Sequence, residues 1–479
     1  MSEYVQFIKR IGLVGITNIL ISLSGLIFIP IITKSFSTSD YGVWAQVTTT
    51  IALIPNLVNL GLPYTMVRFL SPEKDKTKIK DSFFSMMLLV LISSLIMVIL
   101  MLCGSELIAN SLFNGKIQIL YAVVIISFFA CLNLMLLSFF RTFQQIKLYS
   151  LFLVLQTYLG VAVCIFLTLN KEPIETVVWG LLVGYFGVFI AMNIIILIFL
   201  GKGIPKLKNL KEELKFAIPT IPSNVSSWVV DSSDKYVIGI ILGSTFVGYY
   251  SPGYALGSIL LMFLSPFALL LPAILPKYYD AGNISKVNTF LKYSMKYYLI
   301  LTIPAAIGMS ILSKELLLIL TTSEIAMQGY LITPFVCLGA LFMGIYGIIN
   351  NFIILEKKTK ILGHIWILVA IFNIIFNIIA VPYLGIIGAA IVTLICYFFA
   401  FLVTATYSRK RFKLPFDIKD MSKIIISSVI MGIFVKIANP SGILNILIVI
   451  LIAVVIYFVL LFLLKGIDKK EVDIFKEMI

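Results

Sequence analysis

The sequence predicts an all-α polytopic membrane protein with 14 transmembrane helices. Hydrophobic residues make up 60% of the 479-residue chain and charged residues only 12%, which is unlike a soluble globular protein. The apolar residues fall into stretches of about 20 residues, the length that crosses roughly 30 Å of hydrocarbon. The loops between the stretches alternate in charge. The stretches lie near 11–33, 41–67, 82–103, 117–140, 149–169, 176–200, 216–242, 247–271, 290–313, 328–354, 361–381, 384–406, 421–438 and 443–464.

Lysine and arginine are concentrated on one side of the predicted membrane. An even number of spans places both termini on the same side, and the loops on that side hold all but six of the 37 Lys and Arg residues. The exceptions are Lys34, Lys116, Lys171, Lys314 and Lys436 in the opposite loops, and Lys235 inside a span. Because cytoplasmic loops are enriched in these residues, we predict a multi-pass protein of the cell membrane with both termini in the cytoplasm.

The spans group into two halves and a C-terminal addition. A segment at 201–215, GKGIPKLKNLKEELK, has apolar residues near helical spacing and is predicted to lie in the cytoplasmic membrane interface. It separates an N-terminal six-helix bundle at 1–200 from a second six-helix bundle at 216–410. Two additional spans and a cytoplasmic tail occupy 411–479.

An internal repeat relates the two halves. A shift of 206 residues places Thr17-Asn18 on Ser223-Asn224, Thr38-Ser39 on Ser244-Thr245, Gly42 on Gly248 and Trp44 on Tyr250. Both halves begin on the same side, so the repeat is parallel and its axis runs along the membrane normal. We therefore expect two pseudo-symmetric bundles around a central cavity, which is the usual architecture for alternating access.

The seventh predicted span carries a polar stripe. Thr220, Asn224, Ser227, Asp231 and Asp234 follow spacings of 4, 3, 4 and 3 residues along a helix that is otherwise apolar. Lys235 lies one turn beyond Asp231, so an Asp231–Lys235 ion pair is geometrically allowed. A charge near mid-membrane costs at least about 2.5–3.5 kcal/mol, so these groups should face protein or water. They either line a polar substrate path, which we favour, or form a salt bridge that locks the span to its neighbours.

Two residues outside span seven complete the candidate site. Asn18 lies in span one, in a stripe of small residues typical of close helix packing, and it aligns with Asn224 under the repeat. Arg68 lies at the cytoplasmic end of span two. Its side chain either snorkels to the lipid headgroups or meets an anionic ligand at the cytoplasmic mouth of the path.

Other classes of site are not indicated by the composition. The net charge of +15 is spread over short loops and forms no nucleic-acid patch, so anionic membrane lipids are its natural partners. One histidine, His364, and five scattered cysteines make no metal-ligand pattern. No nucleophile–base pair is visible, and we predict no catalysis, no metal and no cofactor.

The segment from Phe216 to Leu256 resembles the polysaccharide transporter (Wzx-like) flippases of the multidrug/oligosaccharidyl-lipid/polysaccharide superfamily. The matching features are Ile218-Pro219 at the start of span seven, Asp234-Lys235 within it, and Val247-Gly248-Tyr249-Tyr250 leading into span eight. Asp40-Tyr41-Gly42-Val43-Trp44 is the matching turn of the first half, and Gly385-Ile386-Ile387-Gly388-Ala389-Ala390 opens span twelve.

The resemblance implies a flippase that moves a polyprenyl-phosphate or -pyrophosphate carrier bearing an oligosaccharide to the outer leaflet by alternating access. Lys235 and Arg68 would meet the anionic headgroup, while Asn18, Asn224 and Ser227 would bind sugar. Asp231 and Asp234 would either neutralise Lys235 in the empty site or couple transport to an ion such as H⁺ or Na⁺. A glycan polymerase and glycosyltransferases are the protein partners that this function implies.

Two other functions remain open. A cation-coupled drug or small-molecule antiporter of the same superfamily is the nearest, although many of those carry an acidic residue in span one and residues 11–33 contain none. A membrane glycan polymerase or glycosyltransferase is less favoured, because such enzymes usually keep a large external loop and the external segments here are short.

Overall fold

The computed structural model describes residues 3–201, 203–206, 210–409, 415 and 417–466, and these residues are helical with no β-strand. The predicted all-α class is therefore confirmed. The segments at 201–215 and 411–479 lie partly outside the described residues. The helices are α1 (Glu3–Ser35), α2 (Thr38–Val58), α3 (Leu62–Leu70), α4 (Lys76–Cys103), α5 (Ser105–Leu112), α6 (Ile117–Thr142), α7 (Ile146–Leu169), α8 (Ile174–Leu200), α9 (Leu210–Ala217), α10 (Ile221–Ile241), α11 (Ser244–Ser258), α12 (Ser265–Asp280), α13 (Ile284–Leu320), α14 (Ser323–Gly329), α15 (Ile332–Ile349), α16 (Asn351–Leu355), α17 (Thr359–Arg409), α18 (Ile418–Ala438) and α19 (Ile443–Leu463).

The number of spans depends on how broken helices are counted. Within the described residues, 11 helices are long and apolar enough to cross a membrane, or 12 if α2 and α3 form one bent span. α10 covers the predicted seventh span but carries three charged residues. α17 covers the predicted eleventh and twelfth spans, and its residue Gly385 is non-helical with φ 60° and ψ −147°, a conformation open to glycine. The count of 14 stays a prediction.

The predicted second span is sharply bent. α2 and α3 meet at 51°, with Leu60 and Gly61 both at positive φ between them. The Asn59 side-chain amide donates to the carbonyl oxygen of Cys131 in α6 at 3.0 Å, which ties the bend to the core. A Cβ on Gly61 would overlap with the Ala217 carbonyl oxygen, so the bend lets the chain approach the start of span seven closely.

Contacts divide the chain into two compact units: Met1–Ser251 with Ile374–Gly385, and Pro252–Asn373 with Ile386–Ile479. α10 therefore packs among the N-terminal helices, although the repeat assigns it to the second half. In the first unit α6 is the most enclosed spanning helix, because much of its surface is buried by its neighbours. The predicted boundary at 201–215 separates the two halves of the sequence repeat, whereas the units above are defined by contacts. The boundary between the repeats stays a prediction.

The second unit is built on α13, α15, α18 and α19. Tyr298 of α13 donates to the Ala340 carbonyl oxygen of α15 at 3.1 Å, and Tyr457 of α19 donates to the Ile300 carbonyl oxygen at 2.8 Å. These buried hydroxyls bond backbone oxygens inside an apolar core. The last of the described helices, α19, is thereby fastened to α13.

An ion-pair cluster near the predicted cytoplasmic end also joins α13 to α18. The Lys296 ammonium, 7% exposed, lies 3.4 Å from the Asp420 carboxylate, and Lys292 bonds Asp417 at 2.9 Å. The hydrogen bond from Lys292 holds the pKa of Asp417 below its ordinary value.

We expect Lys296→Met to lower the stability of the second unit, because it leaves the Asp420 carboxylate without its most buried cation. Breaking a buried pair costs about 3–5 kcal/mol, and the partial exposure of Asp420 places the expected loss at or below the lower end. The measurement is the thermal unfolding temperature in detergent. The double variant Lys296→Met with Asp420→Asn should recover most of the loss, and a double variant as unstable as the single one would contradict the pairing.

Candidate functional site

The polar residues of α10 lie on two different faces of the helix. Asn224, Ser227, Asp231 and Lys235 are half-buried and follow spacings of 3, 4 and 4 residues, which places them in one line. Asp234 is fully buried, on the packed face that also holds Val230 and Ile238. We call the four half-buried residues the polar line.

Asp234 is held by two donors within the first unit. One carboxylate oxygen accepts a short hydrogen bond from the Tyr250 hydroxyl of α11. The other accepts from the backbone amide of Lys235 at 2.8 Å. With these bonds the buried carboxylate fixes α10 against α11.

α2 covers α10 through polar contacts. The Gln46 side-chain amide lies 3.5 Å from the carbonyl oxygen of Lys235, and the Thr50 and Tyr236 hydroxyls are 2.7 Å apart. A Cβ on Gly239 would overlap with the Gln46 amide nitrogen, so glycine permits this approach. The backbone at Lys235 is thus fixed on both sides, by Asp234 and by Gln46.

The other predicted site residues lie on exposed surfaces. Asn18 is exposed on α1, and Arg68 is exposed in the last turn of α3. Within the polar line, the Ser227 hydroxyl donates to the Asn224 carbonyl oxygen at 3.0 Å. The structure therefore gathers Asn224, Ser227, Asp231 and Lys235 on one face, and it presents Asn18 and Arg68 from other helices.

At the predicted external side, opposite the termini, the N-terminal ends of α2 and α11 cross closely within the first unit. A Cβ on Gly42 of α2 would overlap with the Ser244 carbonyl oxygen, and one on Gly248 of α11 would overlap with the Thr38 carbonyl oxygen. Gly248 and Ser244 are the repeat equivalents of Gly42 and Thr38. The crossing is therefore reciprocal, as a twofold repeat predicts.

Hydroxyl and amide groups fasten this crossing. The Ser39 and Ser244 hydroxyl oxygens are 2.7 Å apart, and the Asn114 side-chain amide donates to them at 2.9 and 2.7 Å respectively. We call Ser39, Asn114 and Ser244, with Gly42 and Gly248, the outer latch.

Beside the outer latch, Lys116 bridges two acidic residues. Its ammonium lies 2.8 Å from Asp40 and 3.0 Å from Glu175. Burial alone would lower the pKa of Lys116, but the two carboxylates raise it above its ordinary value. This ion triplet links the starts of α2, α6 and α8.

Sequence patterns did not identify several of these residues. Tyr250 belongs to a motif of the resemblance, but the sequence did not indicate that it bonds Asp234. The 206-residue shift places Asp234 on Phe28 and Tyr250 on Trp44, and the ring centroids of Phe28 and Trp44 are 4.9 Å apart. Asn114 and Lys116 lie in a short loop with no periodic signal. The repeat itself could have suggested the glycine crossing, since it aligned Gly42 with Gly248.

A second feature is an apolar cavity of about 310 Å³ in the second unit. It lies between α13, α18 and α19, and its walls include Phe263, Pro304, Met309, Met431 and Tyr457. Nearly all of its lining is hydrocarbon. Such a cavity suits an aliphatic chain rather than a polar group.

The sequence and the fold match known proteins. The family described as "Polysaccharide biosynthesis protein" matches residues 7–276, and MatE matches residues 219–379. The "Probable low-salt glycan biosynthesis flippase Agl15" of Haloferax volcanii is 20% identical over 229 residues, which are 48% of this chain and 48% of that protein. The chain thus matches about half the length of this curated relative.

Solved transporter structures share the fold over most of the chain. The lipid II flippase MurJ in an inward closed conformation is 23% identical, with a TM-score of 0.78 over 93% of this chain and 97% of that one. An inward-facing multidrug resistance MATE transporter is 15% identical, with a TM-score of 0.68 over 82% and 94%. A transporter of the MOP superfamily from Pyrococcus furiosus is 15% identical, with a TM-score of 0.62 over 86% and 98%. At these identities the likeness concerns the fold.

The family follows from the sequence match together with this architecture. The matched range, 7–276, covers more than half of the chain and includes α2, α10 and the outer latch between α2 and α11. It also contains the segment around span seven on which the resemblance rested. The chain belongs to the polysaccharide biosynthesis protein family.

Proposed function

We propose that this protein is a flippase that carries a lipid-linked oligosaccharide from the cytoplasmic to the outer leaflet by alternating access. The observation that carries the proposal is the polar line: a half-buried ammonium, carboxylate, hydroxyl and amide on one face of α10. Polar groups at membrane depth are costly, and they are retained where a polar solute must pass. The family and the flippase relative support the same function.

The polar line suits the two chemical parts of such a headgroup. The Lys235 ammonium would attract the phosphate or pyrophosphate, and the side chains of Asn224 and Ser227 would hydrogen-bond sugar hydroxyls. Asp231 would neutralise Lys235 when the site is empty or couple transport to H⁺ or Na⁺. Asp234 would hold α10 in position, while Asn18 and Arg68 would meet the ligand from other helices.

The apolar cavity of the second unit would accommodate part of the isoprenoid chain. A polyprenyl tail remains in hydrocarbon while its headgroup crosses, so the protein needs an apolar surface as well as a polar one. Ala305 and Gly308 lie in the cavity wall, where a larger side chain would fill the space. Binding of a polyprenyl phosphate would then weaken while the polar line stayed unchanged.

Movement of substrate between leaflets tests the function directly. The full chain is reconstituted into liposomes with a polyprenyl-pyrophosphate oligosaccharide that carries a fluorophore on its sugar, and an impermeant quencher reports the outer leaflet. We expect the protected half of the fluorescence to become quenchable only with the protein present. Unchanged protection in liposomes with folded protein would exclude this cargo class.

The match to MatE favours a second candidate, a cation-coupled antiporter for small molecules. Asp231 would then be the coupling acid. The same liposomes distinguish the two functions, because an antiporter would accumulate an organic cation under an H⁺ or Na⁺ gradient and leave the lipid-linked sugar in its leaflet. Neither candidate forms or breaks a covalent bond.

The orientation is tested by cysteine labelling. After Cys103, the one exposed cysteine among the five, is replaced by serine, cysteines at Lys74 and Glu172 serve as reporters, since both side chains are exposed. Because positively charged loops are cytoplasmic, Lys74→Cys should react with an impermeant thiol reagent only after permeabilisation, whereas Glu172→Cys should react in intact cells. Reversed labelling would overturn the predicted location of the termini.

A further inference from the structure

A cavity of about 180 Å³ lies at the predicted cytoplasmic end of the first unit, away from the polar line. Phe69 and Leu70, at the end of α3, form one wall. Lys78 and Ser82 of α4 form another, and α9 contributes Glu212 and Glu213. Glu73 closes the rim from the loop between α3 and α4.

Glu213 is the unusual residue of this cavity. Its side chain is 2% exposed, and its Oε2 atom is buried without a hydrogen-bond partner among the described residues. Burial raises the pKa of Glu213, and a hydrogen bond from Ser82 offsets this in part. A buried carboxylate oxygen without a hydrogen-bond donor costs free energy, so a ligand that donates a hydrogen bond from the cavity would stabilise the ionised Glu213.

The charged side chains that line the cavity indicate the charge of that donor. Glu73 accepts hydrogen bonds from the backbone amides of Lys74 and Asp75 at 2.9 and 3.0 Å, and these bonds lower its pKa. Glu212 adds an exposed carboxylate, whereas Lys78, 4.0 Å from Glu73, is the one cation among the described residues of the lining. The described lining thus holds three carboxylates and one ammonium, which favours a cationic ligand. This acidic lining stands out, because most loops on this side of the protein are basic.

The geometry favours an organic ammonium over a metal ion. Across the described part of the chain, no group of three or more His, Cys, Asp or Glu residues could hold a metal. The cavity is also large for a bare ion, and one of its walls is apolar. An ammonium that carries a carbon chain matches both the carboxylates and the Phe69–Leu70 wall.

Lys78 indicates that the ligand also carries an anionic group close to its ammonium. It is 66% exposed and bonded only loosely to Glu73, so its ammonium can turn toward a phosphate. Lys78 lies 4.0 Å from Glu73 in a lining that also contains Glu213, and basic and acidic groups in one cavity match a zwitterion. The cavity is lined from segments that the sequence predicts to be cytoplasmic, where inner-leaflet lipids are available. Among those lipids, an ethanolamine-phosphate headgroup has this chemistry.

We propose that this cavity binds the ethanolamine-phosphate headgroup of an inner-leaflet lipid. The ammonium donates to Glu213, the phosphate meets Lys78, and the glycerol carbons pack on Phe69 and Leu70. The site is separate from the transport path and does not depend on which cargo the protein moves.

Native mass spectrometry of the full-length, detergent-purified protein tests the site with phosphatidylethanolamine as the probe. Glu213→Gln should weaken binding by at least about tenfold, since a charge-assisted hydrogen bond is lost. Glu212→Gln is the matched control: it removes the same charge from an exposed neighbour, and binding should change by less than about twofold. Phosphatidylcholine, whose trimethylammonium cannot donate, should bind as weakly to wild type as phosphatidylethanolamine binds to Glu213→Gln.

Each of the following results would overturn the proposal. A wild-type affinity of Glu213→Gln for phosphatidylethanolamine would show that the carboxylate does not bind the headgroup. Equal binding of both lipids would show that the ligand ammonium does not donate a hydrogen bond. Equal losses of affinity in Glu212→Gln and Glu213→Gln would show that only the net charge of the region matters for binding. Lys78→Gln, a change at an exposed position with little risk to folding, should also weaken binding severalfold, and an unchanged affinity would contradict the phosphate contact.

The source of the headgroup is tested by competition. Soluble phosphoethanolamine should displace the lipid only at concentrations far above that of phosphatidylethanolamine, because it lacks the carbons that pack on Phe69 and Leu70. Displacement at equal concentration would overturn the assignment to a lipid. The thermal unfolding temperature of Glu213→Gln should equal or exceed that of wild type, which separates lost binding from misfolding.

Discussion

Replacing Lys235 with glutamine should severely reduce export of the lipid-linked oligosaccharide while leaving folded protein in the membrane. The backbone amide of Lys235 bonds Asp234, and its carbonyl oxygen faces Gln46, so the substitution leaves the backbone contacts of α10 in place. The ammonium is what is lost. Removing one partner of a desolvated charge pair with the substrate phosphate costs about 2–5 kcal/mol, which lowers the transport rate by about 30-fold or more. Quenching of fluorescent substrate in liposomes measures the rate.

Two variants separate binding from structure. Lys235→Arg keeps the charge and should retain a measurable part of the transport rate. The double variant Asp231→Asn with Lys235→Gln removes both charges, and it should be folded but inactive. Because an unpaired buried charge can destabilise by about 3–5 kcal/mol, protein abundance is measured in each case. Wild-type transport by the double variant at wild-type abundance would show that these residues form only a structural ion pair.

Replacing Gly42 with leucine should open the outer latch and stop transport. Even a single Cβ at Gly42 would overlap with the Ser244 carbonyl oxygen, and neither backbone can yield without separating α2 from α11. Overpacking of this kind typically costs about 1–3 kcal/mol and here acts on the closed state. A cysteine at Asn114 should therefore become more reactive toward an impermeant thiol reagent, which is the measurement alongside transport.

Gly25→Leu is the matched control for the outer latch. Gly25 also lies within a spanning helix, α1, but a Cβ there would have no heavy atom of the described residues within 4 Å. It should leave both the reactivity of the Asn114→Cys reporter and the transport rate near wild type. If Gly42→Leu behaves as Gly25→Leu does, the crossing of α2 and α11 is not a gate.

Both predictions depend on helix rotation, which sequence patterns describe only in part. Successive residues of an α-helix point about 100° apart, so Asp234 and Lys235 necessarily face different surroundings. The spacing rule grouped Asp234 with Asp231 because 3 residues separate them. The packing of α11 decides that Asp234 is buried away from the polar line, since the Tyr250 hydroxyl lies where it can bond Asp234. No periodicity along α10 contains that information.

The bend of span two shows the same limit. The sequence predicts one span at 41–67, in which Pro55 and Pro63 are compatible with a bend but do not say where it lies. The structure instead ends α2 at Val58 and begins α3 at Leu62, with Asn59 bonded to α6. Leu60 lies in this turn at φ 52°, a conformation that leucine rarely adopts, and no hydropathy pattern predicts it.

By itself, the sequence determined the helical membrane class, the alternation of charged loops, the 206-residue repeat and the family. These properties are encoded locally, because the cost of burying polar groups in lipid acts on each segment separately. The tertiary structure alone decided which polar groups of α10 are accessible, that Gly42 and Gly248 form a reciprocal crossing, and that the Glu213 carboxylate is buried beside a cavity. Each of these depends on which side chain a neighbouring helix presents, and that is settled only when the helices pack.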